Sequence, residues 1–223
     1  MAEPDYIAAY THGEPCVPAR AALVLVDMQS ATGSRQGALA RRHLDDPAQR
    51  AALTYRFDRI ERLVVPNQQR LIAGCRQAGA RIVYIRNGAR LPDASDAPAH
   101  MRRLYRELGC HLGSDEHRIL DALAPEPGDL IVDKSTIGAF ASTGIDSMLR
   151  ALSVSQLIVT GISTNMCVET TAREAADRGY AVTLVEDACA TTHADLHAST
   201  LRNFARLFGR VRDTDDILAE LAA

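Results

Sequence analysis

The chain has 223 residues, 47% of them apolar and 24% charged, the balance of a globular protein with one sizeable core. Its 25 basic residues meet 28 acidic ones, and the net charge of −3 argues against capture of nucleic acid or of an anionic membrane surface. No apolar run approaches the roughly 18 residues of a membrane span, and Met1 to Cys16 lacks the basic-then-apolar pattern of a leader, so a cytoplasmic enzyme is expected.

The first strand is Ala22–Val26, a continuous apolar run of the kind buried on both faces of a parallel sheet, and it ends at Asp27. Residues 30–50 are polar and read as a long loop. A helical pattern follows over 59–78, broken at Pro66 and closed by Gly79. Strand two, Arg81–Ile85, leads into Arg86-Asn87-Gly88. Residues 89–117, rich in Pro, Asp and Arg, read as an irregular insertion or lid, with Arg102, Arg103 and Arg106 on a solvated face. Strand three, Leu130–Val132, delivers Asp133 and Lys134. A helix is expected over 145–152, then strand four at Gln156–Thr160, leading to Cys167 and a helix closed by Gly179. Strand five at Ala181–Val185, a helix over 195–208, a short strand near Val211 and a last helix over 214–221 complete the chain.

Strands alternate with helices without repeat or linker. This predicts one α/β domain over 1–223, three layers deep, around a mainly parallel six-stranded sheet. In such sheets the ligand crevice lies beyond the carboxyl ends of the strands. Asp27, Asn87, Lys134 and Cys167 all fall at or just past those ends.

Five scattered cysteines without a CxxC give neither a disulfide framework nor a zinc site, so free thiols are expected. Cys167 stands apart from the others. It lies in the first turn of a helix behind a buried strand, with Thr164 or Asn165 as N-cap, where free N–H groups and the helix dipole favour a thiolate. A lone cysteine is more often a small buried hydrophobe, which suits Cys75 and Cys189. Asp27 could take the thiol proton and return it to a leaving amine. Of the 25 basic residues only Lys134 is a lysine, which suggests a place where a compact ammonium is needed and a planar guanidinium will not serve. Together the three make a nucleophile, a base and an electrostatic stabiliser.

Three segments then carry a resemblance: Val24-Leu25-Val26-Asp27-Met28-Gln29, Pro127-Gly128-Asp129-Leu130-Ile131-Val132-Asp133-Lys134, and Thr160-Gly161-Ile162-Ser163-Thr164-Asn165-Met166-Cys167-Val168-Glu169. In this order and spacing, over about residues 20–221, the chain resembles the isochorismatase-like cysteine hydrolases. The resemblance implies a Rossmann-like three-layer fold and an Asp27–Lys134–Cys167 triad. It further implies a cis peptide at Ile162–Ser163 and an oxyanion hole from the Ser163 and Cys167 backbone N–H groups. Cys167 would attack the carbonyl of a small amide or ureido compound, an amine or ammonia would leave, and water would release the acyl group. Arg86-Asn87-Gly88 is most like the ureidoacrylate, N-carbamoylsarcosine and biuret-type enzymes, with Asn87 and Arg86 as candidate substrate-binding residues. A turn-forming Asn-Gly and a solvated Arg are equally good readings of those two.

Departures from the family pattern matter as well. Members that hydrolyse the vinyl ether isochorismate lack the cysteine. The stretch after the first strand has no metal-binding DxH, so neither metal nor cofactor is expected. Ser30-Ala31-Thr32-Gly33 replaces the common Asn-Asp-Phe, and Ile137 stands where an aromatic is usual in the ureidoacrylate enzymes, which leaves the substrate open. The expectation is a homo-oligomer, dimer or tetramer, acting on a small molecule. Hydrolysis of an ester or vinyl ether, or a non-catalytic homologue, remain the alternatives.

Overall fold

The computed structural model describes residues 6–10 and 13–223; the reading of Met1–Cys16 as leaderless falls partly outside them. In chain order the elements are β1 (Ala21–Val26), α1 (Ser30–Gly33), α2 (Ala38–His43), α3 (Arg50–Arg59), α4 (Val65–Ala78), β2 (Arg81–Asn87), α5 (Ala99–Leu108) and β3 (Leu130–Lys134). There follow α6 (Ile145–Ala151), β4 (Gln156–Ile162), α7 (Glu169–Ala176), β5 (Ala181–Ala190), α8 (Ala194–Ala205), β6 (Arg210–Arg212) and α9 (Thr214–Ala222).

The strands of the described residues form one sheet, all parallel, in the order β3-β2-β1-β4-β5-β6. All six residues of β1 are buried, and their alternation divides them between two cores. Leu23 and Leu25 pack with Phe57, Leu71, Cys75 and Ile217 under α3, α4 and α9. Ala22, Val24 and Val26 pack with Ile145, Leu149, Ala172 and Phe204 under α6, α7 and α8. The three-layer expectation holds, and the strand order reverses between β1 and β4.

Three expectations change. Residues 30–50 hold two short helices, α1 and α2, whose small buried faces (Ala31, Gly33, Ala38, Ala40) leave little periodicity to detect. The next helix starts at Arg50 and runs through Pro66 unbroken. A wide π-turn at Ile60–Val64 sits directly before the proline, where Val65 N–H bonds to Ile60 O. Pro66 has no N–H to offer and crowds the carbonyl four residues back, and the wider turn absorbs both effects. Gly79, at φ 79°, ends the helix as expected. Within residues 89–117, α5 is a regular helix that buries Met101, Tyr105 and Leu108 and turns its arginines outward.

Candidate active site

The ends of β1 and β4, on either side of the strand-order reversal, meet at the carboxyl edge of the sheet. Gly161 makes the meeting close. Its φ is 120°, and a Cβ there would lie 2.1 Å from Val26 O. Beyond it come the cis peptide Ile162–Ser163 and a second π-turn, Thr164–Val168, which carries Cys167. Asp27 follows β1 with φ 55°, a left-handed conformation that Asp tolerates better than most residues. Its backbone N–H is held by Ile85 O at 2.9 Å.

Asp27, Lys134 and Cys167 come together here, only 5%, 2% and 6% exposed. Lys134 Nζ donates to Asp27 Oδ2, Thr136 O and Ile137 O, each at 3.0 Å. An ammonium has three hydrogens, so its donors are fully used. Asp27 Oδ1 is buried with no hydrogen-bond partner. Burial pushes the Asp27 carboxyl above its ordinary range, while Lys134 and the Cys167 thiol pull it back. For Lys134 burial acts downward, but the fields of Asp27 and Cys167 outweigh it and raise its pKa. The pair is a salt bridge, with Lys134 charged.

The expected thiolate is corrected. Burial, followed by the charge of Asp27, pushes the Cys167 thiol up to about 12. Cys167 does lie in the first turn of a helical segment, a π-turn that runs directly into α7, but the N-cap residue is Ser163 rather than Thr164 or Asn165, with no side-chain cap. At rest the group is a thiol beside a carboxylate. The other buried cysteines, Cys75, Cys110 and Cys189, are likewise pushed up to about 12 by burial.

Asn87 reaches the site and Arg86 does not. Consecutive strand residues face opposite sides, and the register pairs Arg86 with Asp133 but Asn87 with Lys134. Arg86 forks onto Asp133 at 2.7 and 2.9 Å, away from Cys167. Asn87 Nδ2 lies 4.0 Å from Cys167 Sγ. Its Oδ1 accepts from Tyr105 Oη, which fixes the direction of the amide. Gln29 holds the Asn87 main chain, accepting from its N–H at 2.6 Å and donating to its carbonyl at 3.2 Å.

Ser163 and Cys167 border a cavity of about 260 Å³ that also meets Asp27, Asn87, Ile137 and Tyr105. Arg56, from α3, enters the same cavity and is 3% exposed. It donates through Nε to Thr32 O at 3.1 Å and through Nη1 to Ser163 Oγ at 2.7 Å. Burial lowers its pKa to about 10, against the opposing fields of Cys167 and Asp27, so it stays charged at neutral pH. Sequence reasoning missed both Tyr105 and Arg56. The Met101/Tyr105/Leu108 spacing was the signal available for the former.

Two Asp-x-His triplets, Asp115-Glu116-His117 and Asp195-Leu196-His197, also escaped it. Neither belongs to a metal cluster: among the described residues no three His, Cys, Asp or Glu side chains converge on one point. His197 Nδ1 instead pairs with Thr164 Oγ1 at 2.9 Å, beneath the turn of Cys167.

A parallel sheet with this site at its reversal point is a hydrolase-type α/β arrangement. The Isochorismatase domain model matches residues 21–216, and the chain belongs to the isochorismatase family. A ureidoacrylate amidohydrolase RutB of Methylorubrum extorquens is 34% identical over 241 aligned positions, covering 95% of this chain and 91% of the relative. The RutB of Acinetobacter baylyi is 30% identical, covering 90% and 83%. The crystal structure of a cysteine hydrolase from Pseudomonas syringae pv. phaseolicola superposes with a TM-score of 0.79 at 29% identity, covering 100% of this chain and 99% of that one.

Proposed function

We propose that the protein is a cysteine amidohydrolase that cleaves the C–N bond of a small amide or ureido compound. The observation that carries this is the meeting of Asp27 and Cys167 on one cavity, with Lys134 bonded to Asp27 and Asp27 Oδ1 left without a partner. The relatives named as ureidoacrylate amidohydrolases support it.

In the first half-reaction Asp27 accepts the Cys167 proton as sulfur bonds to the carbonyl carbon, so the thiol ionises only as it attacks. Backbone N–H groups of Ser163 and Cys167 receive the oxyanion. The C–N bond then breaks, the amine leaves with the proton returned by Asp27, and a thioester remains. Water attacks the thioester, losing a proton to Asp27, and as the C–S bond breaks Asp27 passes that proton to the departing sulfur, giving the acid or carbamate, the free thiol and the carboxylate ready for the next cycle. Lys134 favours the ionised, proton-accepting form of Asp27 at the start of each half-reaction.

The α5 segment within 89–117 acts as the outer wall of the site. We read the enzyme as metal-independent and homo-oligomeric. Leu104 and Met166, exposed apolar residues at the cavity, support a second subunit near its mouth. Its five free cysteines suit the cytoplasm.

The test is ammonia release across ureido acids and small carboxamides, with intact-protein mass to trap the thioester. Wild type should turn over at least one compound, keep its rate after exhaustive chelation and add the acyl mass at Cys167. Cys167→Ser should fall below about a tenth of that rate while staying folded. Turnover of esters alone would replace this reading with an esterase, and no turnover of either class would leave a non-catalytic homologue.

A further inference from the structure

A buried charge is normally paired, because leaving water costs several kcal/mol that only a partner returns. Arg56 breaks that pattern. No Asp or Glu among the described residues forms an ion pair with it, and its two protein acceptors, Thr32 O and Ser163 Oγ, are neutral. Among the described residues Nη2 donates to no protein group, and Arg56 is the only cation that lines the cavity. The nearby carboxylate, Asp27, is already matched by Lys134. With Cys167 as a thiol the site therefore holds one positive charge in excess, and it lies beside the cavity.

We infer that Arg56 is the specificity-determining residue of this site: it receives a carboxylate on the substrate, whose remaining atoms pack against apolar walls. The inference rests on the amidohydrolase reading and narrows it to acidic amides or ureides. The fork is held in advance by its two bonds, so little side-chain freedom is lost when an anion docks on the free edge. Leu39, Met101, Leu104, Leu108, Ile137 and Met166 supply the walls, which suit a short hydrocarbon segment and offer no second charge. Ala31 and Gly33, small residues of α1, lie on either side of the Thr32 carbonyl that holds Nε. The bond from Nη1 to Ser163 Oγ places the anion next to the residue proposed to carry the oxyanion hole. The carboxylate thus sits close to the scissile carbonyl rather than at the far end of a long chain.

The experiment uses a matched pair: a short ureido acid, and the same compound with a hydroxymethyl group in place of the carboxylate. Wild type should favour the acid by about 100-fold or more in kcat/KM, because the neutral analogue leaves a buried cation unmatched. Arg56→Gln should bring that ratio to within about threefold, and Arg56→Lys, which keeps the charge but not the fork, should hold it near tenfold. A role confined to tying α3 to the Ser163 turn lowers both rates by the same factor and leaves the ratio intact, which would overturn the inference. So would a wild type that does not discriminate, an outcome that needs no variant to fold. Calorimetry of the two compounds on Cys167→Ser, with and without Arg56→Gln, reads the same selectivity without turnover. If neither compound releases ammonia the amidohydrolase reading fails, while selective binding lost with Arg56→Gln still supports the anion site, and equal binding refutes it.

Discussion

Lys134 holds one oxygen of Asp27, Oδ2, at 3.0 Å and leaves the other, Oδ1, buried and without a partner in a carboxylate that Cys167 adjoins. The carboxylate is thus divided: one oxygen is anchored and the other is free to take a proton.

Replacing Lys134 by arginine should abolish this division although the charge is kept. The ammonium donates in three directions at once, to Asp27, Thr136 O and Ile137 O. A guanidinium is planar and wider, and would meet both carboxylate oxygens or displace one of the carbonyls. We expect kcat/KM of Lys134→Arg to fall by about 100-fold or more, with circular dichroism unchanged. A folded variant within about threefold of wild type would remove Lys134 from the mechanism.

The pH profile should report Asp27. Burial raises its pKa above the ordinary carboxylate range, and the proposed reaction needs it ionised. Activity is then present above that pKa and lost as the pH falls through it. Lys134→Met removes a group that lowers the Asp27 pKa, so the acid limb of kcat/KM should move to higher pH. A limb that stays in place would mean that another group limits the acid side.

Tyr105→Phe deletes the hydroxyl that orients the Asn87 amide. With Oδ1 no longer fixed, Nδ2 is not held towards Cys167 Sγ, and kcat/KM should drop by roughly 3- to 30-fold with little change in Tm. An unchanged rate would show that Gln29 alone positions Asn87.

Gly161→Ala combines a φ of 120° with a Cβ placed 2.1 Å from Val26 O. The cost should be at least about 3 kcal/mol, which for a chain of this size lowers Tm by roughly 6–12 °C. Thermal unfolding followed by calorimetry measures it, and a Tm within about 2 °C of wild type would contradict the contact.

The strands were legible because buried parallel strands are written as unbroken apolar runs, and Ala22–Val26 and Gln156–Thr160 lie within a residue or two of the observed limits. Asp27, Lys134 and Cys167 were legible for the same reason, since each follows such a run. The short helices at 30–43 were hidden because segments of four and six residues, with only small buried side chains, are too short to show a period. Arg56 was hidden in another way. It sits among Arg50, Arg59 and Arg62, and only the folded positions of Thr32 and Ser163 separate it from them. Arg86 was placed in the site although the period of two, already present in the sequence, sends it and Asn87 to opposite faces.

The close passage of Gly161 against Val26 has a further consequence for how the molecule tolerates change. The proposed base, Asp27, follows Val26 directly and the proposed nucleophile, Cys167, lies six residues past Gly161, so main chain touching main chain sets the gap between them. Side chains of the two cores support that edge from behind but do not define it. Trimming a buried residue such as Leu23 or Leu149 should therefore cost melting temperature well before it costs rate. The interior can drift through sequence space while the reacting atoms keep their spacing.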